Sequence, residues 1–210
     1  QLSNYIENEG LYAHFQSAYR RNNSTETAVL RVIDDIQQSL YHQKHVVLLL
    51  LDSSAAIQKH TVDHGVLLTR LKNQYFLSNQ SLNLIKSYLD KRSFSVSIDG
   101  EISSLKQINY GVPQGSILGP LIYNLYTKPI ETIAKDHGME VNLYADDCQL
   151  YLSFLKEESN LAELKINQCL LEIKNWMNDN FLKLNTEKTQ LKLFSFNNQP
   201  FSFNLFFENH

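Results

Sequence analysis

The spacing of apolar positions changes several times along the chain, and each change marks an element. Ser24-Thr25-Glu26-Thr27 reads as a helix start. Ala28, Val29, Val32, Ile33, Ile36 and Leu40 follow it at helical spacing. His45 to Leu51 is an unbroken run of mostly Val and Leu that stops at Asp52, the pattern of a strand buried on both faces. Helical patterns cover residues 61–73 and 78–91. Phe94, Val96 and Ile98 then alternate with Ser93, Ser95 and Ser97, which predicts a strand. Asp99-Gly100 is a hairpin turn signal, with a return strand over 102–108. The breaker-rich Gly111-Val112-Pro113-Gln114-Gly115 opens an apolar helix over 116–135. Short strands at 141–144 and 149–154 are joined across Ala145-Asp146-Asp147-Cys148. A helix over 157–180 turns Leu161, Leu164, Ile166, Leu170, Ile173 and Trp176 inward. Leu191, Leu193, Phe194 and Phe196 predict a strand, and residues 201–207 another. The sum is an α+β fold, an antiparallel sheet with helices packed on one face.

Composition adds constraints. Hydrophobic residues make up 43% of 210, enough for a substantial core. Gly and Pro number only 7 and 4, so no linker tract marks a domain boundary. The formal charge of −3 counts against tight, independent binding to a phosphate backbone. Two cysteines, Cys148 and Cys169, offer neither metal-ligand spacing nor a disulfide framework, and read as buried thiols in a reducing compartment. The longest apolar run, Val46 to Leu51, is too short to cross a membrane. With no signal peptide pattern, we expect no membrane partner and an intracellular site, nucleus or cytoplasm. The start at Gln1 and the strand-like end lead us to expect a piece of a longer protein.

The candidate chemistry lies in carboxylates. Adjacent Asp146 and Asp147 at a tight hairpin repel each other, and a divalent cation relieves that repulsion. Mg²⁺ favours carboxylate oxygens together with substrate phosphates. A bare Asp-Asp pair is also what a solvated acidic turn looks like, but the apolar strands on both sides speak against that. Asp52 stands at the exit of a buried strand, where a charge needs a partner or a metal; equally, it could cap the next segment. If that strand pairs beside the Tyr144 hairpin, three carboxylates converge as two-metal phosphoryl transfer requires.

Several blocks, in order, resemble the reverse transcriptase domain of non-LTR retrotransposons, most of all the jockey-type and related LINE elements. Gln16-Ser17-Ala18-Tyr19-Arg20 through Ser24-Thr25-Glu26-Thr27-Ala28 is similar to the fingers-to-palm segment. Leu50-Leu51-Asp52-Ser53-Ser54-Ala55-Ala56 with Thr61-Val62-Asp63-His64 resembles the first catalytic motif. Ser87-Tyr88-Leu89-Asp90-Lys91-Arg92 precedes a hairpin, as in the family. Gly111-Val112-Pro113-Gln114-Gly115-Ser116-Ile117-Leu118-Gly119-Pro120 resembles the substrate-binding motif, and Tyr144-Ala145-Asp146-Asp147 the second catalytic motif. Trp176-Met177, Leu182-Lys183-Leu184-Asn185 and Lys188-Thr189 resemble the last palm motif.

The resemblance implies a palm with partial fingers: residues 1–44 fingers and fingers-to-palm helix, 45–196 palm, 197–210 leading toward a thumb. It implies RNA-directed DNA polymerase activity with Mg²⁺ (Mn²⁺ as the alternative), an RNA template, a DNA primer and deoxynucleoside triphosphates. Asp52, Asp146 and Asp147 would be catalytic metal ligands. Lys188 would neutralise or protonate the leaving pyrophosphate. Gln114 and Gly115 would lie against the incoming nucleotide, Ser116 would cap the following helix, and Arg20 would touch nucleic acid.

Three departures support the other reading, an inactive remnant or nucleic-acid-binding module with the same fold. Ile57 and Gln58 stand where the family has an aromatic residue, which packs beneath the substrate sugar, and an Asp. Residues 57–60 carry about two extra positions. The upstream fingers motif and the thumb have no counterpart.

Overall fold

The computed structural model describes residues 2–52, 62–113, 115–197 and 202–205. Its centre is a four-stranded sheet. Strand β1 (His45–Asp52) pairs antiparallel with β7 (Asp147–Phe154) on one side and β8 (Asn185–Phe194) on the other. Strand β6 (Glu140–Tyr144) completes the order β6-β7-β1-β8. The all-apolar body of β1 follows from its place inside the sheet, where both faces are covered.

Helices α5 (Leu118–Thr127), α6 (Pro129–Asp136) and α7 (Ser159–Asp179) share the main core with Val47, Leu49 and Leu51. That core runs from Ile6 in α1 (Leu2–Asn8) to Leu205. The opposite face is not bare. Helix α2 (Thr25–Tyr41) places Val32 and Ile36 on Val46, Leu48 and Tyr151. So helices back both faces, and α2 covers the His45 half of the second one. Ser24 starts α2 as expected, accepting from the Thr27 amide in a capping box.

Elsewhere the pattern reading needs adjustment. The apolar stretch over 116–135 is two helices, broken at Lys128 because Pro129 has no N–H to continue the first. In α7 the buried stripe is Ala162, Ile166, Cys169, Leu170, Ile173 and Met177, whereas Leu161 and Leu164 are about half exposed. Ile166, Leu170 and Ile173 are buried and Trp176 packs against the core as expected, while small Ala162 and Cys169 complete the stripe in place of Leu161 and Leu164. The helices at 61–73 and 78–91 are α3 (His64–Asn73), capped by Asp63, and α4 (Asn79–Leu89), capped by Ser78.

The predicted hairpin is a ribbon of two short ladders. Strand β2 (Ser93–Phe94) pairs with β5 (Lys106–Gln107), and β3 (Ser97–Ile98) with β4 (Glu101–Ile102). Its Asp99 and Gly100 both have positive φ, 51° and 88°, as the turn signal requires. The last strand begins six residues before Leu191. Of the segment 201–207, residues 202–205 are described; they form no strand, and Phe203 and Leu205 are buried.

Candidate active site

Strand pairing gathers the carboxylates. In the β1–β7 ladder Asp52 lies opposite Asp147, and in the β6–β7 ladder Tyr144 lies opposite Asp147. Residues directly opposite share a face and stand about 5 Å apart at Cβ. Asp52 and Asp147 therefore project together, with Asp146 in the two-residue turn beside them. On the other flank Asp52 lies opposite Asn185, in the last palm block. All this sits at the far end of the strands from the half that α2 covers.

The electrostatics agree with that grouping. Asp147's carboxyl is pushed above the ordinary carboxylate range, first by desolvation, then by Asp146 and by Asp52. Its side chain is exposed, so water screens much of the repulsion. The native state therefore holds this proton more tightly than the unfolded chain. Its contribution to stability is full below the ordinary carboxylate pKa and is lost as pH rises through the raised native value. We expect the melting temperature to gain a few degrees from Asp147→Asn at about pH 7, and little at about pH 4. Added Mn²⁺ is expected to stabilise the parent chain at the higher pH and to do so less for Asp147→Asn. Equal melting of both proteins across that range would contradict the repulsion.

Lys188 reaches the group through an irregularity. Leu50 pairs with Gln190, but Asp52, two residues on, pairs with Asn185. The surplus residues of β8 bulge outward, and Thr189 Oγ1 closes the bulge by donating to Asn185 O at 2.9 Å. Lys188 Nζ thereby stands 3.8 Å from Asp52 Oδ2, a long ion pair with an exposed lysine and a partly buried carboxylate.

Among the described residues, no group of three or more His, Cys, Asp or Glu side chains could enclose a metal ion by itself. A hard cation such as Mg²⁺ takes one or two carboxylates and fills its shell with water and substrate phosphates. The residues fit an ion held jointly with substrate, with Asp52 and the turn carboxylates as the protein's share.

The loop that resembles the substrate-binding motif is pinned at several points. Gly111 N donates to Val62 O at 2.7 Å, and His64 Nε2 bonds Gly111 O at 2.8 Å. Ser116 Oγ accepts from Tyr88 Oη at 2.6 Å and from Gly119 N at 3.1 Å, and donates to Pro113 O at 2.7 Å. Ser116 thus bonds the first turn of α5 from one position ahead of its N-cap, which is Ile117 rather than the expected Ser116. A Cβ on Gly119 would meet Ser116 Oγ at 3.0 Å and Pro113 O at 3.3 Å. Gly119→Ala should therefore cost about 1–2 kcal/mol by crowding this bonded set, measurable by urea unfolding; an unchanged midpoint would mean the loop yields freely. Gly115 has φ +74°, a conformation that favours glycine. Gln114 and Ile57 lie outside the described residues.

Arg20 stands apart from the carboxylates. Its Nη2 pairs with Glu7 at 2.7 Å, its Nη1 donates to Gln16 O at 3.2 Å, and its guanidinium lies over Tyr12. Cys148 and Cys169 are buried free thiols; burial raises both, Cys169 to about 12. Pattern reading missed His64, Tyr88, Gln16 and Asn124 as bonded partners of these loops. One signal was available: Asn124 interrupts an otherwise apolar helix, and a buried amide demands partners.

Residues 1–204 match the family described as reverse transcriptase (RNA-dependent DNA polymerase). The chain belongs to that family. It is a reverse transcriptase domain of the non-LTR retrotransposon kind, as its relatives show. It is 29% identical over 180 residues to the RNA-directed DNA polymerase from mobile element jockey of Drosophila melanogaster, covering 83% of this chain and 19% of that protein. It is 32% identical over 156 residues to the probable RNA-directed DNA polymerase from transposon X-element of Drosophila melanogaster, covering 73% of this chain and 17% of that protein. The reverse transcriptase chain thus spans about a fifth of the length of the curated relatives it matches. Among solved structures, apo telomerase from Candida tropicalis, truncated from its C-terminal domain, superposes with a TM-score of 0.65 at 13% identity. That match covers 92% of this chain and 40% of the telomerase chain, and it supports the fold alone. Reverse transcriptases in general use divalent metal ions and act on nucleotides with a nucleic acid template.

Proposed function

We propose that this chain is the palm of an RNA-directed DNA polymerase, adding deoxynucleotides to the 3′-hydroxyl of a DNA primer on an RNA template. The observation that carries the proposal is the placement of Asp52, Asp146 and Asp147 at adjoining strand ends. On this reading residues 1–44 are partial fingers, 45–196 the palm, and 197–210 the passage toward a thumb.

Asp52 and Asp146 would hold Mg²⁺ or Mn²⁺, with Asp147 beside them and substrate phosphates completing the shell. When bound, the ion activates the primer hydroxyl and neutralises charge on the departing pyrophosphate. The protein's own part is placement. The two strands fix Asp52 against Asp147, and the turn presents Asp146. Lys188, held over Asp52 by the β8 bulge, exchanges that carboxylate for the pyrophosphate and donates a proton or a charge-assisted hydrogen bond to it. Gly115 brings backbone close to the nucleotide, with Gln114 beside it. Ile57 stands in the sequence where the family has its aromatic residue, so discrimination against ribonucleotides is expected to be weak. Arg20 would contact a template phosphate by exchanging Glu7 for it.

The test is primer extension by the folded 210-residue chain on an annealed RNA template with Mg²⁺ and deoxynucleotides. Extension supports a working palm. A folded chain that extends nothing overturns self-sufficient activity. It then favours the second reading, an inactive relative with the same fold, for which Ile57 and Gln58 are the specific observations.

A further inference from the structure

Gln16 is 2% exposed and lies more than a hundred residues from the catalytic turn in sequence, yet it is bonded to that turn. Its Oε1 accepts from Ala145 N at 3.2 Å and from Ala18 N at 2.9 Å. Its Nε2 donates to Asn124 Oδ1 at 3.2 Å and, more weakly, to Ala145 O at 3.5 Å. Asn124, itself 3% exposed, donates from Nδ2 to Ala18 O at 3.3 Å. Both lone-pair positions and both N–H groups of the Gln16 carboxamide are thus used.

The residue it grips is unusual. Ala145 has φ 55°, the left-handed region that disfavours any residue with a Cβ. As the first residue of a two-residue hairpin loop, its amide faces out of the strand ladder. Gln16 supplies the partner the ladder cannot, and bonds the Ala145 carbonyl, in the next peptide group, as well. The backbone around Gln16 is fixed in turn: Ser17 N donates to Leu143 O at 2.9 Å, and Leu143 N to Phe15 O at 3.0 Å. The segment therefore lies along the outer edge of β6 as one more rung, with Gln16 aimed at the turn. Arg20 Nη1 on Gln16 O completes its anchorage.

We propose that Gln16 is a positioning residue for polymerisation: its carboxamide locks Ala145 in the left-handed conformation, and this sets where Asp146 stands relative to Asp52. Through Asn124 the same carboxamide ties the turn to α5, the helix that the Gly111–Pro120 loop opens. Asp146 and the nucleotide loop are thereby held to one reference point. The catalytic part of this proposal rests on the polymerase reading above; the structural part does not.

Amide hydrogen exchange tests the structural part on the unmodified chain. Ala145 N–H is expected to exchange at least about tenfold slower than a free loop amide, and Gln16→Met to remove that protection while Leu143 and Cys148 keep theirs. An unprotected Ala145 in the parent chain, or unchanged protection in a folded Gln16→Met, would overturn the lock. Primer extension tests the rest. In Gln16→Met the maximal rate should fall by about a hundredfold with the nucleotide KM within a few-fold, because misplacement of Asp146 weakens the transition state and leaves ground-state binding nearly intact. An unchanged maximal rate would refute the positioning role. A parent chain that does not extend primers speaks against the polymerase reading, and the Ala145 exchange result still decides the lock.

Discussion

Asp146→Asn is expected to reduce primer extension by on the order of a thousandfold or more, while the folded state survives unharmed. The loss follows from the metal-holding role proposed for this carboxylate. An amide oxygen is neutral, so it can neither match a divalent ion's charge nor keep it beside the primer hydroxyl, and metal assistance is worth several kcal/mol in the transition state. Stability should not fall, because Asp147 is raised first by desolvation and then by its acidic neighbours, and removing Asp146 relieves that second part. The informative result is the combination: extension lost, melting temperature equal or higher. Asp52→Asn should behave alike in extension and also release Lys188. A variant that still extends at more than about a tenth of the parent rate would remove Asp146 from the chemistry.

Arg70→Met should destabilise the fold by about 2–4 kcal/mol, the largest stability loss we expect from a single polar residue. Arg70 is 9% exposed, at the hub of three helices. Its Nη1 donates to Tyr126 O, and its Nη2 to Asn180 Oδ1 at 2.6 Å. The guanidinium lies over both the Tyr126 ring at 4.8 Å and the Trp176 ring at 5.5 Å. Tyr126 Oη in turn donates to Asn180 O at 2.8 Å. Methionine fills the volume but leaves two buried acceptors without these donors. Arg70→Lys keeps the charge and loses the planar fork, so an intermediate loss is expected. Urea unfolding measures both; a shift below about 0.5 kcal/mol for the methionine variant would mean the three helices are held together by apolar contact alone.

The sheet and the carboxylates were legible in the sequence because their signals are local. A Val- and Leu-rich run ending in Asp52, and two apolar runs flanking Asp146-Asp147, name the strands and where their charges emerge. What escaped depends on contacts between distant segments. Nothing near Gln16 reveals that it meets Ala145. The bulge that lifts Lys188 is a register shift between β1 and β8, which composition does not encode. Arg70 and Asn180 carry no signal of burial in the sequence; each is buried because the folded helices bring it to the other. In α7 the buried Ile166, Leu170 and Ile173 were legible, whereas Leu161 and Leu164 were preferred to the small Ala162 and Cys169 because leucine is the stronger apolar signal.

The central strand is also the first to be made. β1 meets β7 about a hundred residues further along the chain, and β8 later still. During synthesis or refolding, seven consecutive residues from His45 to Leu51 have neither neighbour until most of the chain exists. Such distant pairings are slow to close, and an unpaired apolar strand is what aggregates in the interval. A message ending before residue 185 would leave β1 with one edge permanently bare. For this fold, how far the chain has been made decides whether β1 is covered on both edges.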